Sequence, residues 1–120
     1  MNILIVDDSK LMRNILKSIL NNMGYPDVYE ATNGLEALTK VYEMSPDIVF
    51  MNLIMPEMDG YRASRKILRE YPQTKIVVMS SNVEFAAPLK DSNIGFFDYI
   101  KVPFVENKIR EVVKSASGLL

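Results

Sequence analysis

Ile48-Val49-Phe50-Met51-Asn52-Leu53-Ile54-Met55-Pro56-Glu57-Met58-Asp59-Gly60 runs from an unbroken apolar segment into one polar residue, then into a loop and a helix start. Residues 48–51, bounded by Ser45-Pro46-Asp47, read as a strand buried on both faces of a parallel sheet, because such a strand has no solvent face and shows no alternation. Asn52 stands at the carboxyl end of that strand. In open parallel α/β sheets ligands and reactions are found outside this edge, so Asn52 is a site candidate by position. Capping a turn is the other ordinary use of an asparagine at a strand end.

The same pattern recurs on either side. Ile3–Val6 is a run of four apolar residues stopped by Asp7-Asp8, and residues 75–79 form another, stopped by Ser80-Ser81. Val28–Ala31 is a weaker strand broken by Thr32-Asn33-Gly34, and residues 99–102 form a last strand before Pro103. Between strands the spacing turns helical. Leu11, Met12, Ile15, Leu16, Ile19, Leu20 and Met23 form a stripe capped by Ser9 and closed by Gly24 and Pro26. Asn33 and Glu36 resemble a capping box, with Leu35, Leu38, Val41 and Tyr42 as the expected buried face. A helix over about residues 61–71 starts near Asp59 and ends at Pro72. Residues 83–93 are expected to be helical but short, kinked or shifted, because Pro88 removes a donor and crowds the preceding turn. Val105, Ile109, Val112, Val113 and Ala116 line a terminal helix, with Glu106 and Arg110 paired outside at i,i+4. Five βα units predict a doubly wound α/β fold with a five-stranded parallel sheet, right-handed crossovers and helices on both faces.

Fourteen basic and fifteen acidic side chains leave a net charge of -1 in 120 residues. That balance gives no general field for nucleic acid and no polybasic run for an anionic membrane. Cysteine and histidine are absent, which excludes disulfides, thiolate metal sites and the commonest general base. Any chemistry falls to carboxylates, amides, hydroxyls and lysine. The start lacks a charged leader region and its apolar run is too short for a signal peptide or a span, so a cytoplasmic location is expected.

If the strands are parallel, Asp7, Asp8, Asn52, Ser80, Lys101 and Val102 all arrive at one edge. Alone, each has a plain reading: a solvated turn, a strand-end hydroxyl, a surface charge. Together they suggest a site, and gathered carboxylates with carbonyl oxygens suit a hard cation such as magnesium.

At this point the chain resembles the receiver domains of two-component response regulators, typified by CheY-like chemotaxis proteins. The resemblance rests on Val6-Asp7-Asp8-Ser9, Asn33-Gly34-Leu35-Glu36-Ala37, Met55-Pro56-Glu57-Met58-Asp59-Gly60 and Val78-Met79-Ser80-Ser81, and more loosely on Asp98-Tyr99-Ile100 through Pro103-Phe104. It covers essentially the whole chain. It implies the flavodoxin-like strand order 2-1-3-4-5, which is a standard example of this fold type. It also implies one receiver-like domain over residues 1–120 without an output domain, and a signalling module rather than an enzyme. Carried over position by position, Asp7, Asp8, Asn52 and the Ile54 carbonyl fall on the magnesium ligands, Ser80 on the switch hydroxyl and Tyr99 on the aromatic switch. The implied partners are a histidine kinase or a downstream target, with a homodimer expected through the 83–93 segment, the last strand and the last helix.

Two positions depart from the family pattern. Asn52 replaces the phosphoacceptor aspartate, and an amide cannot supply the carboxylate nucleophile for phosphoryl transfer. The family's lysine directly precedes proline, whereas the order here is Lys101-Val102-Pro103. A one-residue offset on a strand turns a side chain to the other face, so Val102 is expected on the site side unless a bulge re-aims Lys101. Losing one carboxylate and one ammonium together leaves the local charge balance unchanged. The leading expectation is therefore a pseudo-receiver acting through protein contacts, with magnesium binding weak or lost. An ordinary phosphorylatable receiver carrying an engineered Asn52 is the alternative, and the displaced lysine speaks against it. An α/β phosphatase or phosphotransferase is disfavoured because no second aspartate follows at a two-residue spacing and no glycine-rich loop opens a helix. A flavin binder is disfavoured because Asp7-Asp8 would repel its phosphate.

Overall fold

The computed structural model describes residues 1–55, 57–81 and 94–118. Five strands, β1 (Ile3–Val6), β2 (Val28–Ala31), β3 (Ile48–Asn52), β4 (Lys75–Ser80) and β5 (Asp98–Lys101), form one sheet in the order β2-β1-β3-β4-β5. Every neighbouring pair is parallel. Among the described residues the helices are α1 (Lys10–Asn22), α2 (Gly34–Met44), α3 (Gly60–Glu70) and α4 (Glu106–Ser117). The expected helix over residues 83–93 lies outside the described residues. Among the described residues no helix is long and apolar enough to cross a membrane.

Alternate strand residues divide into two cores. Leu4, Val6, Val49, Met51, Ile76 and Val78 pack with Ala37 and Val41 of α2 and with Ala63 and Ile67 of α3. Their neighbours Ile3, Ile5, Ile48, Phe50, Val77 and Met79 pack with Leu16 and Leu20 of α1 and with Ile109, Val112 and Val113 of α4. Burial on both faces is why the central strands read as continuous apolar runs. The chain steps to one side of β1 to form β2 and to the other to form β3. The residues following β1 and those ending β3 therefore meet where the strand order reverses.

The caps follow the sequence closely. Ser9 Oγ accepts from the Met12 N–H, Asn33 Oδ1 from the Glu36 N–H and Asp59 Oδ1 from the Arg62 N–H. The Asn33 capping box is half formed: the Glu36 carboxylate takes the Thr32 hydroxyl at 2.7 Å. Glu106 and Arg110 pair at 3.4 Å on the outside of α4.

Two expected helix faces are narrower than the hydrophobic stripes. In α1 the expected stripe packs through Leu16 and Leu20, with Ile19 and Met23 against the same core, while Leu11 and Ile15 are exposed. Leu35 and Tyr42 are exposed too, while α2 buries Gly34, Ala37 and Val41. In α2 the reason is close approach: small residues carry little hydrophobic signal, yet they are what lets a helix backbone come near its neighbours. Val105 is exposed and precedes α4 rather than lining it.

Backbone contact fixes the segment after β3. The Gly60 N–H donates to the Leu53 carbonyl at 2.9 Å, and the Gly34 N–H donates to the Met58 carbonyl at 3.0 Å. A Cβ on Gly60 would fall on the Asn52 carbonyl oxygen, and one on Gly34 on that of Met58. Only glycine fits at these two crossings.

Candidate functional site

The register Val6↔Met51 sets Asp7 beside Asn52 across the β1–β3 edge. Asp7 is buried, Asp8 exposed and Asn52 half-buried. The Asn52 side chain bridges them. Its Nδ2 donates to Asp7 Oδ1 at 3.3 Å and to Asp8 Oδ1 at 3.4 Å, while its Oδ1 accepts the Ile54 N–H at 3.3 Å. This network fixes the amide's direction, because the opposite flip would set its oxygen against two carboxylates and its N–H against another N–H.

Asp7 is held from several sides. Its Oδ1 also accepts the Ser9 N–H at 2.9 Å, its backbone N–H donates to the Ala31 carbonyl and its carbonyl accepts from Arg13 Nη1 at 2.8 Å. Arg13 is anchored in turn by Glu30 on β2, at 3.1 Å. Burial pushes the Asp7 carboxyl above the ordinary carboxylate range, opposed by the bonds from Ser9 and Asn52 and reinforced by neighbouring Asp8. Arg13 was not singled out from the sequence. A cation four residues after a helix cap, amid the apolar stripe, was the available signal.

A cleft of about 230 Å³ lies over this edge, lined by Asp7, Asp8, Ser9, Met12, Asn52, Met79, Ser80, Ser81 and Val102. Val102 is on the cleft wall and Lys101 is not. Ser80 pairs with Lys101 in register and its carbonyl accepts the Val102 N–H at 2.9 Å, so the strand continues regularly past Lys101. Lys101 is exposed. Tyr99 is half-buried against the core beneath α2 and α3, away from the cleft lining. Ile54 is 78% exposed, its N–H turned to Asn52.

As arranged, these groups do not fit a divalent cation well. Two carboxylates remain, but position 52 presents them with N–H donors instead of a third oxygen. Among the described residues no group of three or more acidic, histidine or cysteine side chains could hold a metal ion. The amide does electrostatically part of what a cation would do, giving each carboxylate a positive hydrogen to face. Chemically, Asn52 has no charged oxygen to act as a nucleophile.

The order β2-β1-β3-β4-β5 and an acidic pair facing the end of β3 define a signalling receiver, and residues 3–114 match the response regulator receiver domain model, so the chain belongs to that family. It is CheY-like, and receivers of this kind are signalling modules of two-component systems. The chemotaxis protein CheY of Thermotoga maritima is 40% identical over 115 residues, 96% of each chain. A two-component response regulator from Clostridium difficile superposes with a TM-score of 0.88 at 28% identity, over 98% of this chain and 96% of that one. The receiver domain of a sensor histidine kinase from Pseudomonas aeruginosa has the same fold, with a TM-score of 0.87 at 23% identity over 98% and 97% of the two chains. That structure has a magnesium ion coordinated in its active site cleft.

Proposed function

We propose that the chain is a pseudo-receiver: a receiver-fold signalling module in which Asn52 takes the phosphoacceptor's place and the signal passes through protein contacts without an aspartyl phosphate. The observation that carries this reading is the Asn52 amide, which donates to Asp7 and Asp8 while its oxygen is engaged by Ile54. An amide forms no acyl phosphate, and the acidic pair already has a hydrogen-bonding partner. Val102 on the cleft wall supports the same reading, since among the described residues no ammonium lines the cleft to offset phosphoryl charge. Magnesium affinity is weak or lost on this account, because hard divalent ions depend on carboxylate count. The partners are a histidine kinase, a downstream target or a second copy, meeting the face around β5, the last strand of the sheet, which carries exposed Lys101 and half-buried Tyr99.

Incubation with acetyl phosphate and magnesium, followed by intact-mass measurement, should give no hydroxylamine-sensitive adduct. A stoichiometric adduct mapped to the 51–60 peptide would overturn the reading. In calorimetric titration Asn52→Asp should bind magnesium measurably more tightly than the wild type. Equal affinities would remove position 52 from the metal shell.

A further inference from the structure

Arg62, Arg65, Lys66 and Arg69 stand at i, i+3, i+4 and i+7 on α3, and all four are exposed. They form one stripe opposite Gly60, Ala63, Ser64 and Ile67, the residues that α3 buries. From Arg62 to Arg69 the stripe spans about 10 Å of helix axis. Among the described residues none of the four makes an ion pair. Setting them aside leaves ten basic against fifteen acidic side chains, a balance of -5 in the rest of the chain. The positive charge is thus concentrated on one helix face of an otherwise acidic molecule.

Helix energetics do not account for it. A cation in the last turn, such as Arg69, favours the helix dipole, but Arg62 lies in the first turn, where positive charge is disfavoured and where α3 has no acidic residue. Neighbours three and four apart face each other, so the four like charges repel. An anionic partner would relieve that repulsion.

The stripe borders an apolar groove. Leu38, Val41 and Tyr42 of α2 and Ile67 with Tyr71 at the end of α3 enclose a cleft of about 250 Å³ rimmed by Lys66, Arg69 and Glu70. Tyr42, 77% exposed, stands at its lip. Cations beside an apolar slot suit a segment with carboxylates along one side and large apolar side chains along the next. We propose that the α2–α3 face docks an acidic amphipathic helix of a partner protein, its carboxylates on the stripe and an apolar side chain seated against Tyr42. Nucleic acid fits less well, because the rest of the chain is negative and the apolar slot would have no role. The face is separate from the Asn52 cleft, so this inference and the proposed function stand or fall independently.

The probe is a fluorescein-labelled 20-residue helix carrying adjacent stripes of Glu and Leu, followed by fluorescence anisotropy with the 120-residue chain. It should bind with an affinity that weakens as salt is raised. A version with Lys in place of Glu should not bind. Arg65→Glu with Arg69→Glu should reduce affinity at least tenfold, Arg65→Gln with Arg69→Gln several-fold, and Tyr42→Ala several-fold, with unchanged circular dichroism in each. Failure of the acidic helix to bind, equal binding by the charge-neutralised variant, or tighter binding of a 20-base-pair DNA duplex would overturn the proposal.

Discussion

An asparagine side chain carries a donor and an acceptor on one rigid plane, and position 52 uses both ends. The acceptor is fixed by the Ile54 N–H, which leaves the donor end for Asp7 and Asp8. The sequence placed an amide beside two carboxylates, but its direction depended on a backbone N–H two residues on, which no residue pattern reports. Arg13 was hidden for a similar reason: its partner is the carbonyl of Asp7, and carbonyls are the same at every position. Asp7 itself yields a prediction. Its folded carboxyl titrates above the ordinary value of 3.8, so within that window the folded chain keeps a proton the unfolded chain has lost. Stability therefore falls as pH rises through the window and stays lowered above it. Asp7→Asn retains an oxygen for the Ser9 N–H and removes the charge. It should melt higher than the wild type near pH 7, and the difference should close below about pH 4 as the wild-type carboxyl is protonated in both states. A gap of constant size in melts from pH 3 to 7 would show that ionisation of Asp7 is not its source.

At the scale of elements, the segment between β3 and α3 is held by backbone rather than by side chains. Gly60 crosses the end of β3 so closely that any side chain meets the Asn52 carbonyl. Gly60→Ala should cost about 1–3 kcal/mol by overpacking and should displace the Asn52 side chain with it. Urea unfolding measures the first effect and amide-proton shifts of Asn52 the second; a neutral substitution would mean that the crossing relaxes freely. Strands were more legible than helix faces here. Double burial gives β1, β3 and β4 unbroken apolar runs with abrupt polar stops, whereas α2 packs through Gly34 and Ala37 and leaves the more hydrophobic Leu35 outside. A hydrophobic stripe reports which residues prefer burial; the neighbouring element decides which residues are small enough to be buried.

Across the whole molecule, the candidate site is assembled only because strands distant in sequence end together. Asp7, Asn52, Ser80 and Val102 come from four separate βα units and line one cleft. Their convergence was legible because parallel strands share an end. The exchange of Lys101 for Val102 on the cleft wall was legible too, since side chains alternate along a strand. The central place of β1 has a consequence in time. Its four residues are fully buried and pair with Val28–Ala31 on one side and Ile48–Met51 on the other. During synthesis β1 waits for a partner forty-five positions later, and until then its apolar run has one neighbour and an open flank. Contacts so distant slow folding, because the loop must close before they reward it. Ribosome-arrested chains with residues 1–46 outside the exit tunnel should remain protease-sensitive across β1, and protection should not begin until β3 has emerged as well. β1 is thus made before either of its partner strands and is among the segments that wait longest for shelter.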